Sequence, residues 1–149
     1  VSGEFYDSSA FVKLFVDERG SEQMTRRFAL ATPRIVSRLA FLETASAIRR
    51  LQFEGSLSVI EAETARSFVQ KAVEEVSIVP LTNSQLVLAE ELLNTHRLRS
   101  LDALQLAAAL TTASLIEVFV TSDVRLTRAA IAEGLRVIDP TAVAEHRAT

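Results

Sequence analysis

Phe5-Tyr6-Asp7-Ser8-Ser9-Ala10-Phe11-Val12-Lys13-Leu14-Phe15 reads as a short strand that stops on an aspartate and turns directly into a helix. The two aromatics at the start favour extended backbone. The small polar run Asp7-Ser8-Ser9 favours a turn. After it, Phe11, Val12, Leu14 and Phe15 fall at helical spacing. The same grammar returns at Val118-Phe119-Val120-Thr121-Ser122-Asp123, where Asp123 is placed to cap a helix that ends at Gly134, a residue suited to C′. A strand followed at once by a helix, then another such pair, is the signature of a parallel sheet.

The rest of the chain fits between these two junctions. Gly20-Ser21 separates the first helix from a second that runs through Met24 and Phe28 towards Pro33. Ile35-Val36 is a strand, and Ser37 caps a long helix reaching about Phe53, which Glu54-Gly55-Ser56 ends. A helix from about Val59 to Val76 leads to the strand Ile78-Val79, closed by Pro80. Leu86 to Leu93 is helical, and Arg97-Leu98-Arg99 links it to a helix capped by Ser100 that runs through a series of alanines. Arg136-Val137-Ile138 is the last strand. Short apolar strands alternating with helices predict a parallel sheet covered on both faces. With 149 residues, the chain is the size of one domain, 1–149, with the residues after about 140 as a tail.

Composition narrows the chemistry. Cysteine is absent, which excludes thiol catalysis, zinc ribbons and iron–sulfur clusters and fits a reducing compartment. No apolar run is long enough to span a membrane and no signal peptide opens the chain, so a cytoplasmic protein without membrane contact is expected. The net charge of −3 does not by itself mark a nucleic-acid binder. The acidic residues are uneven: Glu is common on helical faces, whereas Asp is scarce and three of the five, Asp7, Asp102 and Asp123, sit at strand-to-helix junctions or in a first helical turn.

In open parallel sheets ligands bind beyond the carboxyl ends of the strands, where Asp7 and Asp123 belong. Each Asp also has a local role available, as a cap or as a charge at the positive end of a helix dipole, worth about 1 kcal/mol. Glu43 is different. It lies inside a helix with Leu39, Ala40, Ser46 and Ala47 at helical spacing, on a small and apolar face. An inward glutamate needs a partner, either a metal or an arginine such as Arg50 one turn on. Two carboxylates about 5 Å apart repel by roughly 3 kcal/mol at an effective dielectric of 20. Several together therefore either bind protons or hold a hard divalent ion such as Mg²⁺ or Mn²⁺. Such an ion on carboxylates suits phosphate chemistry. A Glu43 on the far side of the molecule, or each carboxylate locked in its own ion pair, would be incompatible with a shared metal site.

At these four positions the chain resembles the PIN-domain nucleases, particularly the VapC-type toxins of toxin–antitoxin pairs. Tyr6-Asp7-Ser8-Ser9-Ala10-Phe11-Val12-Lys13-Leu14 is similar to that family's first motif and Glu43-Thr44-Ala45-Ser46-Ala47-Ile48-Arg49 to its glutamate helix. Leu101-Asp102-Ala103-Leu104-Gln105-Leu106-Ala107 is similar to the third and Val120-Thr121-Ser122-Asp123 to the fourth, all in the family's order. The resemblance implies a three-layer α/β/α sandwich on a five-stranded parallel sheet. It also implies an endoribonuclease that hydrolyses RNA with an Mg²⁺- or Mn²⁺-activated water, leaving 5′-phosphate and 3′-hydroxyl ends. By the same resemblance Asp7, Glu43, Asp102 and Asp123 are catalytic and hold the metal, Ser8 and Thr121 support them, and the protein is a homodimer inhibited by a small antitoxin. Some relatives carry a further acidic residue just after the fourth motif. Val124, Arg125 and Leu126 stand there, so the resemblance does not extend to a second metal position.

Lys13, Arg38, Arg99 and Arg125, with Arg34, Arg97 and Arg128, lie near these motifs in sequence and are expected as a basic rim for an RNA backbone. Their bland alternative is solvated surface charge. His96 and His146 lack ligand spacing and read as surface residues. Ser8 and Ser9 lack the G-x-S-x-G context of a nucleophile, and there is neither a Walker motif nor a G-x-G-x-x-G. Competing functions are a Mg²⁺-dependent phosphatase or phospho-acceptor, disfavoured because Ser9 stands where a second Asp is wanted, and an inert binding module on the same fold.

Overall fold

The structure, a computed structural model, describes residues 3–142. The end of the expected tail, with His146, lies outside the described residues. Five strands form one all-parallel sheet: β1 (Glu4–Tyr6), β2 (Arg34–Ser37), β3 (Ser77–Val79), β4 (Val118–Val120) and β5 (Val137–Ile138), in the order β3-β2-β1-β4-β5. The helices are α1 (Ser8–Phe11), α2 (Ser21–Leu30), α3 (Arg38–Phe53), α4 (Val59–Ala72), α5 (Asn83–Thr95), α6 (Ser100–Thr111) and α7 (Val124–Ala132).

Side chains alternate across a strand, and here the alternation builds two separate cores. Phe5, Ile35 and Phe119 point to one face, against Ala89 and Leu92 of α5, Ala103, Leu106, Ala107, Ala108 and Ala109 of α6, and Leu126, Ala129 and Ala130 of α7. Tyr6, Val36, Val118 and Val120 point to the other, against Ala10, Phe11, Met24, Ala40 and Ala72 from α1 to α4. The alanines of α6 let that helix lie close to the sheet. The expected three-layer sandwich is therefore present. Of the phenylalanines, Phe5, Phe11 and Phe119 are core, whereas Phe53 and Phe68 are exposed.

Strand order decides where a site can form. From β1 the chain winds outward through β2 and β3, then returns to lay β4 and β5 on the other side of β1. The direction of winding reverses between β1 and β4, and a crevice opens beyond their carboxyl ends. Asp7 follows β1 directly, and Thr121 follows β4.

Several local expectations need correction. The helix after Val59 ends at Ala72, well short of Val76. Ser100 does not cap α6: Arg99 is the residue at the cap, it makes no side-chain cap bond, and Ser100 is the first helical residue. The first helix is split, with Val12–Leu14 forming a tighter 3-10 turn. That turn rotates Lys13 inward.

Candidate active site

Asp7 is the best-buried carboxylate of the site, 3 % exposed. It caps α1, with its Oδ1 accepting from the Ala10 amide at 2.9 Å and from Ser9 Oγ at 2.7 Å. Its Oδ2 accepts from Thr121 Oγ1 at 2.6 Å. These donors are neutral, and no arginine, lysine or histidine pairs with it among the described residues. Burial pushes its pKa up to about 6, against the pull of the bonds from Thr121, Ser9 and Ala10, and the nearby charge of Asp102 adds to the rise. Thr121, fully buried, also accepts from the Asp123 amide at 3.1 Å. Ser9 accepts from the Ser122 amide at 3.0 Å. These bonds lock the β1 and β4 exits to each other.

Glu43 is held from the opposite wall. Its Oε1 accepts from Ser8 Oγ at 2.7 Å and from Gln105 Nε2 at 3.2 Å, while Gln105 Nε2 also donates to Ser8 Oγ at 2.7 Å. Gln105 is 2 % exposed and its Oε1 is buried with no partner among the described residues. Arg50, the arginine considered for Glu43, instead lies 3.9 Å from Glu54.

Asp102 and Asp123 complete the group. Asp102, in the first turn of α6, takes Arg99 Nε at 3.2 Å. Asp123 caps α7 as expected, Oδ1 accepting from the Leu126 amide at 2.8 Å, and its Oδ2 lies 3.9 Å from Arg99 Nη2. Asp102, with weaker help from Asp123 and Glu43, holds the proton on Arg99. The carboxylates are thus not each tied up in a separate ion pair.

All four acidic residues line one cleft of about 300 Å³, with Ser8, Ser9, Arg50, Arg99 and Gln105. They come from the ends of β1 and β4, the first turn of α6 and the middle of α3. Among the described residues no three acidic or histidine side chains close on a common point to form a finished ligand shell. The donor set nevertheless fits a hard divalent cation: the side chains gathered in the cleft offer carboxylate oxygens, and Asp7 is buried without a cationic partner among the described residues.

The structure sorts the remaining sequence candidates. Thr121 supports Asp7 directly, whereas Ser8 supports Glu43. Ser9 and Gln105 were missed as supporting residues. Gln105 stands three residues after Asp102, on the same helical face, and that spacing is the signal that could have found it. Lys13 is not part of an open rim: it is 7 % exposed and its Nζ sits 2.8 Å from Glu18. Arg34 stacks over Phe28 at 4.5 Å, at the start of β2, the opposite sheet edge. Arg38 is exposed, 5.9 Å from the Phe41 ring. Arg97, Arg99, Arg125 and Arg128 gather in a second cleft of about 650 Å³. His96 is less of a surface residue than expected: its side chain is 14 % exposed and its Nε2 lies 3.1 Å from Glu133. Among the described residues no helix is long and apolar enough to cross a membrane.

The family model of the PIN domain matches residues 5–132. No curated protein matches the chain by sequence. Among solved structures it is similar to a chain of a toxin–antitoxin complex from Klebsiella pneumoniae, with 16 % identity over 95 % of this chain and 100 % of that one and a TM-score of 0.67. It is likewise similar to VapC20 of Mycobacterium tuberculosis, a sarcin-ricin loop cleaving toxin, with 19 % identity over 89 % and 96 % of the two chains and a TM-score of 0.67. A third is the DNA-bound VapBC of Salmonella typhimurium, with 12 % identity over 94 % and 99 % and a TM-score of 0.67.

Proposed function

We propose that this chain, which belongs to the PIN domain family, is a divalent-metal-dependent endoribonuclease that acts in the cytoplasm as the toxin of a toxin–antitoxin pair. The observation that carries this is the cleft at the β1–β4 crevice, reached by Asp7, Glu43, Asp102 and Asp123 from four separate elements. The toxin among the solved neighbours supports the toxin role, and the toxin–antitoxin complex among them supports a small antitoxin as partner. Phe53, Ile60 and Phe68, exposed on α3 and α4, supply apolar surface for a second copy of the chain or for that antitoxin.

In this proposal the four carboxylates hold Mg²⁺ or Mn²⁺. When bound, such an ion lowers the pKa of an attacking water and offsets charge on a phosphodiester. The chain's own residues set the geometry. Ser9, Thr121 and the Ala10 amide fix both oxygens of Asp7. Ser8 and Gln105 fix Oε1 of Glu43 and leave its Oε2 without a hydrogen bond among the described residues. Asp123 is anchored through Oδ1 alone, and its Oδ2 lies on the Arg99 side. Groups held this way need little reorganisation during reaction.

The test is digestion of structured RNA with Mg²⁺, with Mn²⁺ and with EDTA, mapping the cut ends. Cleavage with either metal, none with EDTA, and 5′-phosphate and 3′-hydroxyl products are expected. Asp7→Asn and Asp102→Asn each abolish cutting while circular dichroism shows an intact fold. Undiminished cutting by both variants would remove the proposed site.

A further inference from the structure

The larger of the two clefts lies between the link from α5 to α6 and the exposed side of α7, and it holds Arg97, Arg99, Arg125 and Arg128 over a floor of Leu98 and Ala129. Most arginines of the described chain have a partner. Arg26, Arg27, Arg50, Arg99 and Arg136 face carboxylates. Arg66 holds the Gln52 amide, and Arg34, Arg38 and Arg49 lie over phenylalanine rings. Among the described residues only Arg19, Arg97, Arg125 and Arg128 have none of these, and three of them share this one cleft. His96, which also lines the cleft, faces Glu133, and Arg99 faces Asp102 and Asp123, but Arg97, Arg125 and Arg128 have no carboxylate partner among the described residues. Their effect is an outward positive potential in a concave place, which concentrates polyanions.

The two clefts are joined. Arg99 lines both, with its guanidinium turned to Asp102 and Asp123 and its neighbour Arg97 on the basic side. Arg125 and Arg128, three apart on α7, present one helical face to the same space.

We propose that this cleft is the track for a single-stranded RNA backbone as it leaves the carboxylate site, with Arg97, Arg125 and Arg128 holding successive phosphates and Arg99 at the junction. It rests on the ribonuclease reading for the identity of the strand. Guanidinium forks match phosphate oxygens, and the apolar floor gives sugar or base a surface to lie on. An acidic protein segment would match the charge of the basic cleft as well. It would have no reason to continue past Arg99 into a second cleft lined by four carboxylates, whereas a phosphodiester is the group that second cleft is read as acting on.

The test is fluorescence anisotropy of a labelled single-stranded RNA of about a dozen nucleotides, in EDTA so that no cutting occurs, across a salt series. The Arg97→Gln/Arg128→Gln double variant is compared with Arg19→Gln/Arg66→Gln, which keeps the same net charge but lies outside the cleft. The cleft variant is expected to bind about tenfold more weakly, with a log–log salt slope shallower by about 1.4, the loss of two phosphate contacts on a single strand. The control keeps the wild-type slope. Equal affinities and slopes for both doubles, or a wild type that binds no RNA, overturn the track, and an acidic protein segment then becomes the alternative occupant. A parallel digest with Mg²⁺ or Mn²⁺ separates the two proposals. RNA cut by a wild type whose binding ignores Arg97 and Arg128 sinks the track alone. Binding that depends on Arg97 and Arg128 in a protein that cuts no RNA supports the track and sinks the nuclease.

Discussion

Thr121 and Asp7 are 114 residues apart in the chain, yet the threonine hydroxyl donates to the carboxylate at 2.6 Å. The bond crosses the gap between the exits of β1 and β4, so the same contact that closes the fold also orients the most buried acid of the candidate site.

Removing that hydroxyl leaves a buried carboxylate oxygen without its donor, at a cost of about 1–3 kcal/mol. Thr121→Val is expected to lose this much stability in urea titrations at pH 7 without metal, and Thr121→Ser to recover most of it. A serine variant as unstable as the valine one would mean that the methyl group, not the hydroxyl, is what matters.

Asp7 also predicts an unusual pH dependence. Its pKa is about 6 in the folded protein, against an ordinary value of 3.8. Between these values the folded state holds a proton on Asp7 that the unfolded chain has released, so the contribution of Asp7 to stability falls as pH rises from about 4 to about 6. Above that window the full penalty of a buried charge is present, at most about 3 kcal/mol for a rise of roughly two pH units. Asp7→Asn, measured in EDTA, is therefore expected to be more stable than wild type at pH 7.5, with that advantage gone at pH 4. A difference independent of pH would show that Asp7 is not the titrating group.

Gln105 donates to both Ser8 and Glu43, and its own Oε1 is unpartnered. Gln105→Leu keeps the volume and removes the orientation of Glu43. Loss of a residue that positions a metal ligand commonly weakens binding by about 10–100-fold. Calorimetric titration with Mn²⁺ is expected to show that loss, with thermal stability of the metal-free variant within about 1 kcal/mol of wild type. Unchanged Mn²⁺ affinity would reduce Gln105 to packing.

Much of the fold was legible because its signals are local. A strand that stops on Asp7 or just before Asp123, and a helix that starts there, depend on residues within one turn of each other. The same holds for Ser37 before α3 and Gly134 after α7. Local signals mislead where they compete. Ser100 is a good cap by type, but the backbone enters α6 one residue earlier, at Arg99.

The candidate site divides along the same line. Asp7, Glu43, Asp102 and Asp123 could be singled out by residue type and by their places on strands and helices. Their gathering in one cleft required the order β3-β2-β1-β4-β5, which puts the ends of β1 and β4 side by side. Partners were less accessible still. Glu18 lies only five residues after Lys13, but that spacing alone does not show that the lysine is buried against it, nor that Ser9 serves Asp7 while its neighbour Ser8 serves Glu43.

The sequence by itself determined the elements and the identity of the acids, because backbone propensity, capping and hydrophobic periodicity act over a few residues. Only the tertiary structure decided which hydroxyl holds which carboxylate and which arginines stand unpaired together. Hydrogen bonds and charge interactions depend on distances of a few ångströms in space; strand order sets them for pairs such as Thr121 and Asp7, and the local path of the backbone sets them for Ser9 and Asp7.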